Sequence, residues 1–308
     1  MRIVVIGQAA FGKSVIQSLC DAGEEVVAVF CPVDLEHQRV DPIKEEALFR
    51  GIKVLQFGRM RDEAAINAFL DLSPDLCVMA FVTDFVPDRM LQAPKQGTIQ
   101  YHPSMLPLHR GPSSINWPII KGELTTGVSI FWPDDGLDTG PILMQKTTVI
   151  DPDDTVGSLY YKKLYPLGVQ GITESVALIH AGEAPKIPQD HELATYESWC
   201  GVKEGRINWD EQGRAIYDLI RGCDPRPGAS GLLGANHVYF HDVGFEERLH
   251  DITAGTVTVI DDDGFWIAVR GGLIHVATVR VDGTGSPAGS WARVNIAVGD
   301  RFMQDLSS

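Results

Sequence analysis

The feature that most constrains this chain is a regular exchange of short apolar runs with longer amphipathic ones. Arg2–Ile6 is rich in β-branched residues and predicts a buried strand. Phe11–Ala22 then predicts a helix, Glu24–Phe30 a strand, Pro42–Phe49 a helix with proline in its first turn, and Lys53–Gln56 a strand. The pattern continues with Arg61–Leu72 (helix), Leu76–Phe81 (strand), Asp88–Gln92 (short helix) and Thr98–Tyr101 (strand). Val128–Trp132 and Leu143–Val149 complete the strands. Neighbouring parallel strands need helical crossovers, so this alternation predicts an α/β fold with a doubly wound, mostly parallel sheet.

Beyond residue 150 the pattern changes. Thr155–Gly182 predicts a helix capped by Asp154 or Thr155 and broken or kinked near Pro166 and Gly168. Gly182–Gly205 has two prolines and little periodicity, the mark of a linker. A helix around Asp210–Gly222 precedes short strands at Val238–His241, Thr256–Ile260, Phe265–Arg270 and Leu273–Val281, spaced as in a small β-barrel. The expected division is therefore a first domain over 1–182, a linker over 183–205 and a C-terminal domain over 206–308.

Charge narrows the partners. Acidic residues number 41 against 26 basic ones, a net charge of −15. Nucleic-acid binders neutralise phosphates with a basic surplus, so DNA is not expected as a partner and a large RNA is disfavoured. The five cysteines are scattered without a CxxC pair and read as reduced, which fits a cytoplasmic protein. MRIVVIG enters a strand directly, so no signal peptide is expected. No apolar run approaches the ~18 residues of a membrane span.

Gly7–Ser14 reads GQAAFGKS and matches the phosphate-binding pattern GxxxxGK[ST] between a strand and a helix. The expected partner aspartate at the end of a neighbouring strand is missing, because the one similar run, TVTVID at Thr256–Asp261, falls in the other domain. The favoured reading is a glycine turn that packs helix against strand, with no nucleotide bound. A dinucleotide site is weaker still: GxGxxG is absent, and the second strand ends at Phe30–Cys31 without an acidic residue for a ribose.

Two segments carry residues that folding does not require. Gln100–Gly111 (QYHPSMLPLHRG) sets His102 straight after a strand and turns at Pro103 and Pro107. Phe131–Gly140 (FWPDDGLDTG) follows another strand with three aspartates and two glycines. Both are expected at the carboxyl edge of the parallel sheet, where such folds bind ligands. His102 and Asp138 brought together there could stabilise an oxyanion and move a proton. Singly, His102 reads as a core histidine and Asp138 as a turn residue; together they favour catalysis without a metal.

These segments resemble the signature of the folate-dependent formyltransferase family: Asn-x-His, a Ser-Leu-Leu-Pro-like turn with Arg-Gly, then Asp-x-Gly-x-Asp-Thr-Gly. The matching residues are Gln100-Tyr101-His102, Ser104-Met105-Leu106-Pro107, Arg110-Gly111 and Asp134 through Gly140. With INWPII, INWD and IRGCDPRPGA, the likeness extends along the whole chain. Within the family it is closest to the N-terminal hydrolase domain of 10-formyltetrahydrofolate dehydrogenases. The resemblance implies a Rossmann-like domain followed by a smaller OB-like barrel, with 10-formyltetrahydrofolate as formyl donor. It implies His102 and Asp138 as the catalytic pair. Asp84, Phe85, Val86, Ser104, Leu106 and Pro107, together with Asp138, match positions around the folate.

One position departs from the pattern. Family transferases carry asparagine two residues before the histidine, and the hydrolase domain carries an aliphatic residue; here Gln100 stands there. Its amide could serve the same oxyanion, which leaves hydrolase and transferase both open. Water is the favoured acceptor, a small amine or amino sugar the alternative. A transfer RNA is disfavoured because Cys31–Val40 lacks the basic, glycine-containing insertion expected of enzymes that formylate methionyl-tRNA. A folate-binding protein without turnover is the reading of a different class, and retention of both His102 and Asp138 argues against it. The 308 residues hold neither a carrier domain nor an aldehyde dehydrogenase domain.

Overall fold

Strand and helix alternate as the hydrophobic pattern requires. The computed structural model describes residues 1–305. Its first elements are β1 (Arg2–Gly7), α1 (Ala9–Asp21), β2 (Glu25–Cys31), α2 (Pro42–Phe49), β3 (Lys53–Gln56), α3 (Glu63–Asp71), β4 (Leu76–Ala80), α4 (Asp88–Leu91) and β5 (Thr98–His102). Then come α5 (Asn116–Ile120), β6 (Thr125–Phe131), β7 (Ile142–Val149), α6 (Val156–Leu159), a π-helical stretch Tyr160–Leu164 and α7 (Tyr165–Ala181). The helix predicted over 155–182 is thus interrupted just ahead of Pro166, and the Thr155 hydroxyl caps its start. A 3₁₀ turn, His191–Leu193, precedes α8 (Gly213–Cys223), β8 (Ala229–Leu233), β9 (Asn236–Glu247), β10 (Val257–Ile260), β11 (Phe265–Val269), β12 (Gly272–Val281), β13 (Thr284–Pro287) and α9 (Ala288–Asn295).

The chain divides into two compact units. The first comprises Met1–Gly111, Gly127–Thr148 and Lys162–Tyr196; the second comprises Pro112–Thr126, Val149–Tyr161 and the chain from Glu197 onward. Residues 183–196, linker-like in composition, therefore belong to the first unit. They are pinned to it by paired Ile142–Ile187 backbone bonds of 2.8 and 2.9 Å.

In the first unit the sheet order is β3-β2-β1-β4-β5-β6-β7. β1 and β4 are covered on both faces, which is why they read as continuous apolar runs. Strands β1 to β5 pair in parallel, and the order reverses between β1 and β4. In such sheets the carboxyl ends of the two strands at a reversal of this kind are the usual ligand edge. The sheet is mostly parallel and Rossmann-like, with one exception that matters for the site: β6 runs antiparallel to β5, pairing Gln100 with Phe131 and His102 with Ser129. The aspartate segment was expected at the carboxyl edge of a parallel strand. It instead leaves β6 at the opposite end, beside Gln100, and an excursion of the loop is needed to reach His102.

The first glycine turn has a packing role. A Cβ on Gly7 would sit 2.4 Å from the Ala80 carbonyl oxygen, and one on Gly12 would sit 2.6 Å from Ile43 Cδ1. Phe11, Val15, Ile16 and Leu19 bury one face of α1. The carboxylate of Asp41 accepts the Ala9 N–H (2.8 Å) at the start of α1 and caps α2 through the Ile43 N–H (3.0 Å). A carboxylate therefore already fills the place where an anion would meet α1, and Lys13 Nζ lies 3.9 Å from Glu46 Oε2.

The second unit is built on an antiparallel sheet ordered β10-β11-β12-β9-β8, with β13 on β12. Backbone bridges Leu232–Met303 and Thr256–Arg301 let residues 301–303 link the edge at β8 to the segment entering β10. Phe302 stands in the core between them, its ring 5.1 Å from that of Phe240 and 5.9 Å from that of Phe265. Helix α8 buries Ile216, Tyr217, Ile220 and Cys223 in the same core. Among the described residues, no helix is long and apolar enough to cross a membrane.

Candidate active site

β5 ends on His102, and strand periodicity puts Gln100 on the same face. Tyr101 points the other way, stacked on Phe11 with ring centroids 4.3 Å apart. The chain then makes a tight turn. The Ser104 hydroxyl donates to the Leu108 carbonyl (2.7 Å), and the Leu106–Pro107 peptide is cis. Ser129, opposite His102 on β6, locks that turn: its hydroxyl donates to the Ser104 carbonyl (2.7 Å) and accepts the Leu106 N–H (3.1 Å). Leu106 packs with Phe131 and Ile142.

His102 is buried, and its Nε2 lies 2.8 Å from the His109 carbonyl oxygen. A carbonyl only accepts, so Nε2 carries hydrogen. Nδ1 faces Asp138 Oδ2 at 3.6 Å, too far for a direct hydrogen bond but within ion-pair range. Both ring nitrogens thus face oxygen acceptors, Nε2 within hydrogen-bond distance and Nδ1 beyond it. Asp138 is buried too, and its Oδ2 accepts the Gly111 N–H at 2.8 Å.

The loop that delivers Asp138 is closely held. Asp134 Oδ1 accepts from the Gly136 N–H (3.1 Å) and the Thr139 hydroxyl (2.5 Å). Asp138 itself has φ of 55°, a left-handed conformation that costs a residue other than glycine about 1–2 kcal/mol. Strain of this kind persists only where the surroundings over-determine it. Gly140 is required for a close approach, since a Cβ there would lie 1.8 Å from the Trp132 carbonyl oxygen.

The Asp84–Val86 segment follows β4 at the same carboxyl edge. Asp84 accepts the Met60 N–H (2.7 Å) and the Phe85 N–H (2.8 Å), so it shapes the loop. Phe85 stands 63% exposed, and Phe81, earlier in the same loop, 44% exposed. Val86, like Leu106, is buried in core packing, leaving only its backbone for a ligand.

Sequence reasoning missed the segment that backs the site. The Arg110 side chain is wholly buried and meets Gln189 Oε1 (2.7 Å), the Tyr196 hydroxyl (2.6 Å) and His191 Nδ1 (3.2 Å). Thr195 accepts the His109 N–H through its hydroxyl and the Arg110 N–H through its carbonyl. The available signal was Arg110 itself: an arginine in a buried turn needs acceptors, and QDHELATY is the polar run that supplies them.

Comparison with known proteins gives the family. Residues 1–176 match the formyl transferase family, and residues 201–293 match the formyl transferase C-terminal domain. The chain belongs to the formyl transferase family. Among curated relatives of this family, human cytosolic 10-formyltetrahydrofolate dehydrogenase is 44% identical over 234 residues, 74% of this chain and 26% of that protein. The first such relatives are much longer; the chain spans about a quarter of their length. Methionyl-tRNA formyltransferase of Geotalea uraniireducens is 33% identical over 288 residues, covering 92% of this chain and 91% of that protein. Of solved structures, HypX from Aquifex aeolicus in complex with tetrahydrofolic acid shares the fold at a TM-score of 0.67 and 20% identity, over 96% of this chain and 46% of that one. An N-formyltransferase from Helicobacter canadensis does so at 0.69 and 17%, over 90% and 98%.

Proposed function

We propose that this chain takes the formyl group of 10-formyltetrahydrofolate and transfers it to water, releasing formate and tetrahydrofolate. The observation that carries the reading is the His102–Asp138 pair at 3.6 Å, buried together beneath the carboxyl edge of the sheet. Water attacks the formyl carbon and forms a C–O bond, which puts negative charge on the former carbonyl oxygen. The His102 imidazolium stabilises that oxygen, and the Asp138 carboxylate takes the proton lost by the water. Collapse breaks the C–N10 bond, and the proton passes to N10. Because the two groups are not hydrogen-bonded to each other, each is available to a different atom of the tetrahedral centre.

The exposed ring of Phe85 offers an apolar face to the folate ring system. Asp84, Ser104 and Pro107 shape the two loops on either side, and Val86 and Leu106 contribute through their backbone. Water as acceptor is supported by the 44% identity to the dehydrogenase against 33% to the tRNA enzyme, and by the net charge of −15, which disfavours RNA. A second reading, transfer to a small amine, rests on Gln100, whose amide shares the face of His102 and could hold the oxyanion while an amine is in place.

A competition in one tube tests both. The donor is supplied with a panel of amines, including amino sugars and charged initiator tRNA. Formate as the dominant product throughout is expected. A formylated amine appearing much faster than formate would move the protein to the transferases. Tight donor binding with no product at all would leave a folate-binding protein.

A further inference from the structure

Gln189 sits in the first unit with its amide filled on every side. Oε1 accepts from Arg110 Nη2 (2.7 Å) and Nε (3.2 Å), while Nε2 donates to the Asp138 carbonyl (2.9 Å) and the Gly140 carbonyl (2.7 Å). It is 7% exposed. Arg110 precedes Gly111, whose N–H holds Asp138 Oδ2. The contacts therefore close a ring: Asp138 carboxylate, Gly111, Arg110, Gln189 and back to the Asp138 carbonyl. The Arg110 guanidinium meets Gln189, Tyr196 and His191 and no carboxylate among the described residues, so no anion competes with Gln189 for its charge. Two further bonds tie the same segment to β7, the paired Ile142–Ile187 backbone contacts two residues ahead.

We propose that Gln189 is a positioning residue: it holds the left-handed loop at Asp138 so that the carboxylate stays facing His102. The proposal rests on the reading of His102 and Asp138 as the reacting pair. An amide is the side chain this place needs, because it must accept from a cation on one side and donate to two carbonyls on the other. A carboxylate supplies only the first, and an apolar side chain supplies neither.

The test uses Gln189→Met and Gln189→Glu in the full chain, the second keeping an acceptor for Arg110 in case the first does not fold. Amide hydrogen exchange of Gly111, measured without substrate, is expected to quicken at least tenfold in a variant whose global unfolding is unchanged. Kinetically, kcat is expected to fall at least tenfold while KM for 10-formyltetrahydrofolate stays within threefold. In an Asp138→Asn background the same substitution should cost less than a further twofold, since both changes remove one device. Unchanged Gly111 protection in a folded variant, or losses that simply multiply in the double variant, would overturn the proposal. If the wild type turns over no formyl donor, the proposed function fails, and the exchange measurement alone still decides the role of Gln189.

Discussion

His102 Nδ1 faces Asp138 Oδ2 across 3.6 Å, while the nearer partner of that carboxylate oxygen is the Gly111 N–H at 2.8 Å. The carboxylate is thus anchored by main chain and only then presented to the imidazole. The ring is anchored in turn at its far nitrogen by the His109 carbonyl. Neither group depends on the other for its place, so removing one should leave the other in position.

That independence gives the first prediction. His102→Ala and Asp138→Asn should each lower formyl-donor turnover by about 10²–10⁴, the usual range for losing a general acid or base. Both variants should keep the circular dichroism and unfolding midpoint of the parent to within a few degrees. Near-parental turnover in either would remove the pair from the mechanism.

The GQAAFGKS turn gives a second. Gly7→Ala should destabilise by about 1–3 kcal/mol, because its Cβ would meet a backbone oxygen that cannot step aside. Lys13→Ala should change neither stability nor formyl-donor turnover appreciably. The measurements are denaturant unfolding for the first and steady-state kinetics for the second. ATP hydrolysis by the parent that disappears in Lys13→Ala would restore the phosphate-loop reading.

Acid stability gives a third. The Asp75 carboxylate accepts the Arg2 N–H (2.9 Å) and pairs with Lys95 Nζ (2.9 Å), which together hold its pKa below the usual carboxylate range. A depressed folded-state value means the contribution is complete above the unfolded value of about 3.9 and is lost as pH falls through the lower folded one. The stability difference between the parent and Asp75→Asn should therefore be constant from pH 5 to 7 and shrink below pH 4. A difference that grows toward acid pH would contradict the ion pair.

Thiol chemistry gives a fourth. Burial pushes the Cys31 thiol up to about 11, so about one molecule in a thousand is thiolate there at pH 8. Cys77, fully enclosed in β4, is pushed higher still. Iodoacetamide at pH 8 should leave both unmodified in the folded protein and label them once it is denatured, as peptide mass spectrometry would read. Rapid labelling of Cys31 in the native protein would show that β2 is open to solvent.

What local pattern could determine, the sequence did determine. Runs such as RIVVIG and LCVMA are buried on both faces, so their composition alone marks central strands of a parallel sheet, and PIKEEALF and KVLQ begin and end where their proline and polarity say. His102 and Asp138 were legible because their neighbours, prolines on one side and glycines on the other, are the residues that tight turns need. Only the tertiary structure decided how they meet. The direction of β6 is set by pairing with β5, a non-local contact that no spacing encodes, and it reverses the end from which Asp138 must be brought. Gln189 lies 51 residues beyond Asp138 in a run that is polar, proline-flanked and therefore linker-like. Its place in the site follows from hydrogen bonds to backbone carbonyls and a buried guanidinium, and those partners exist only once the chain has folded around them. Val86 and Leu106 show the converse: their motif positions are local, but packing against other strands turned their side chains into core.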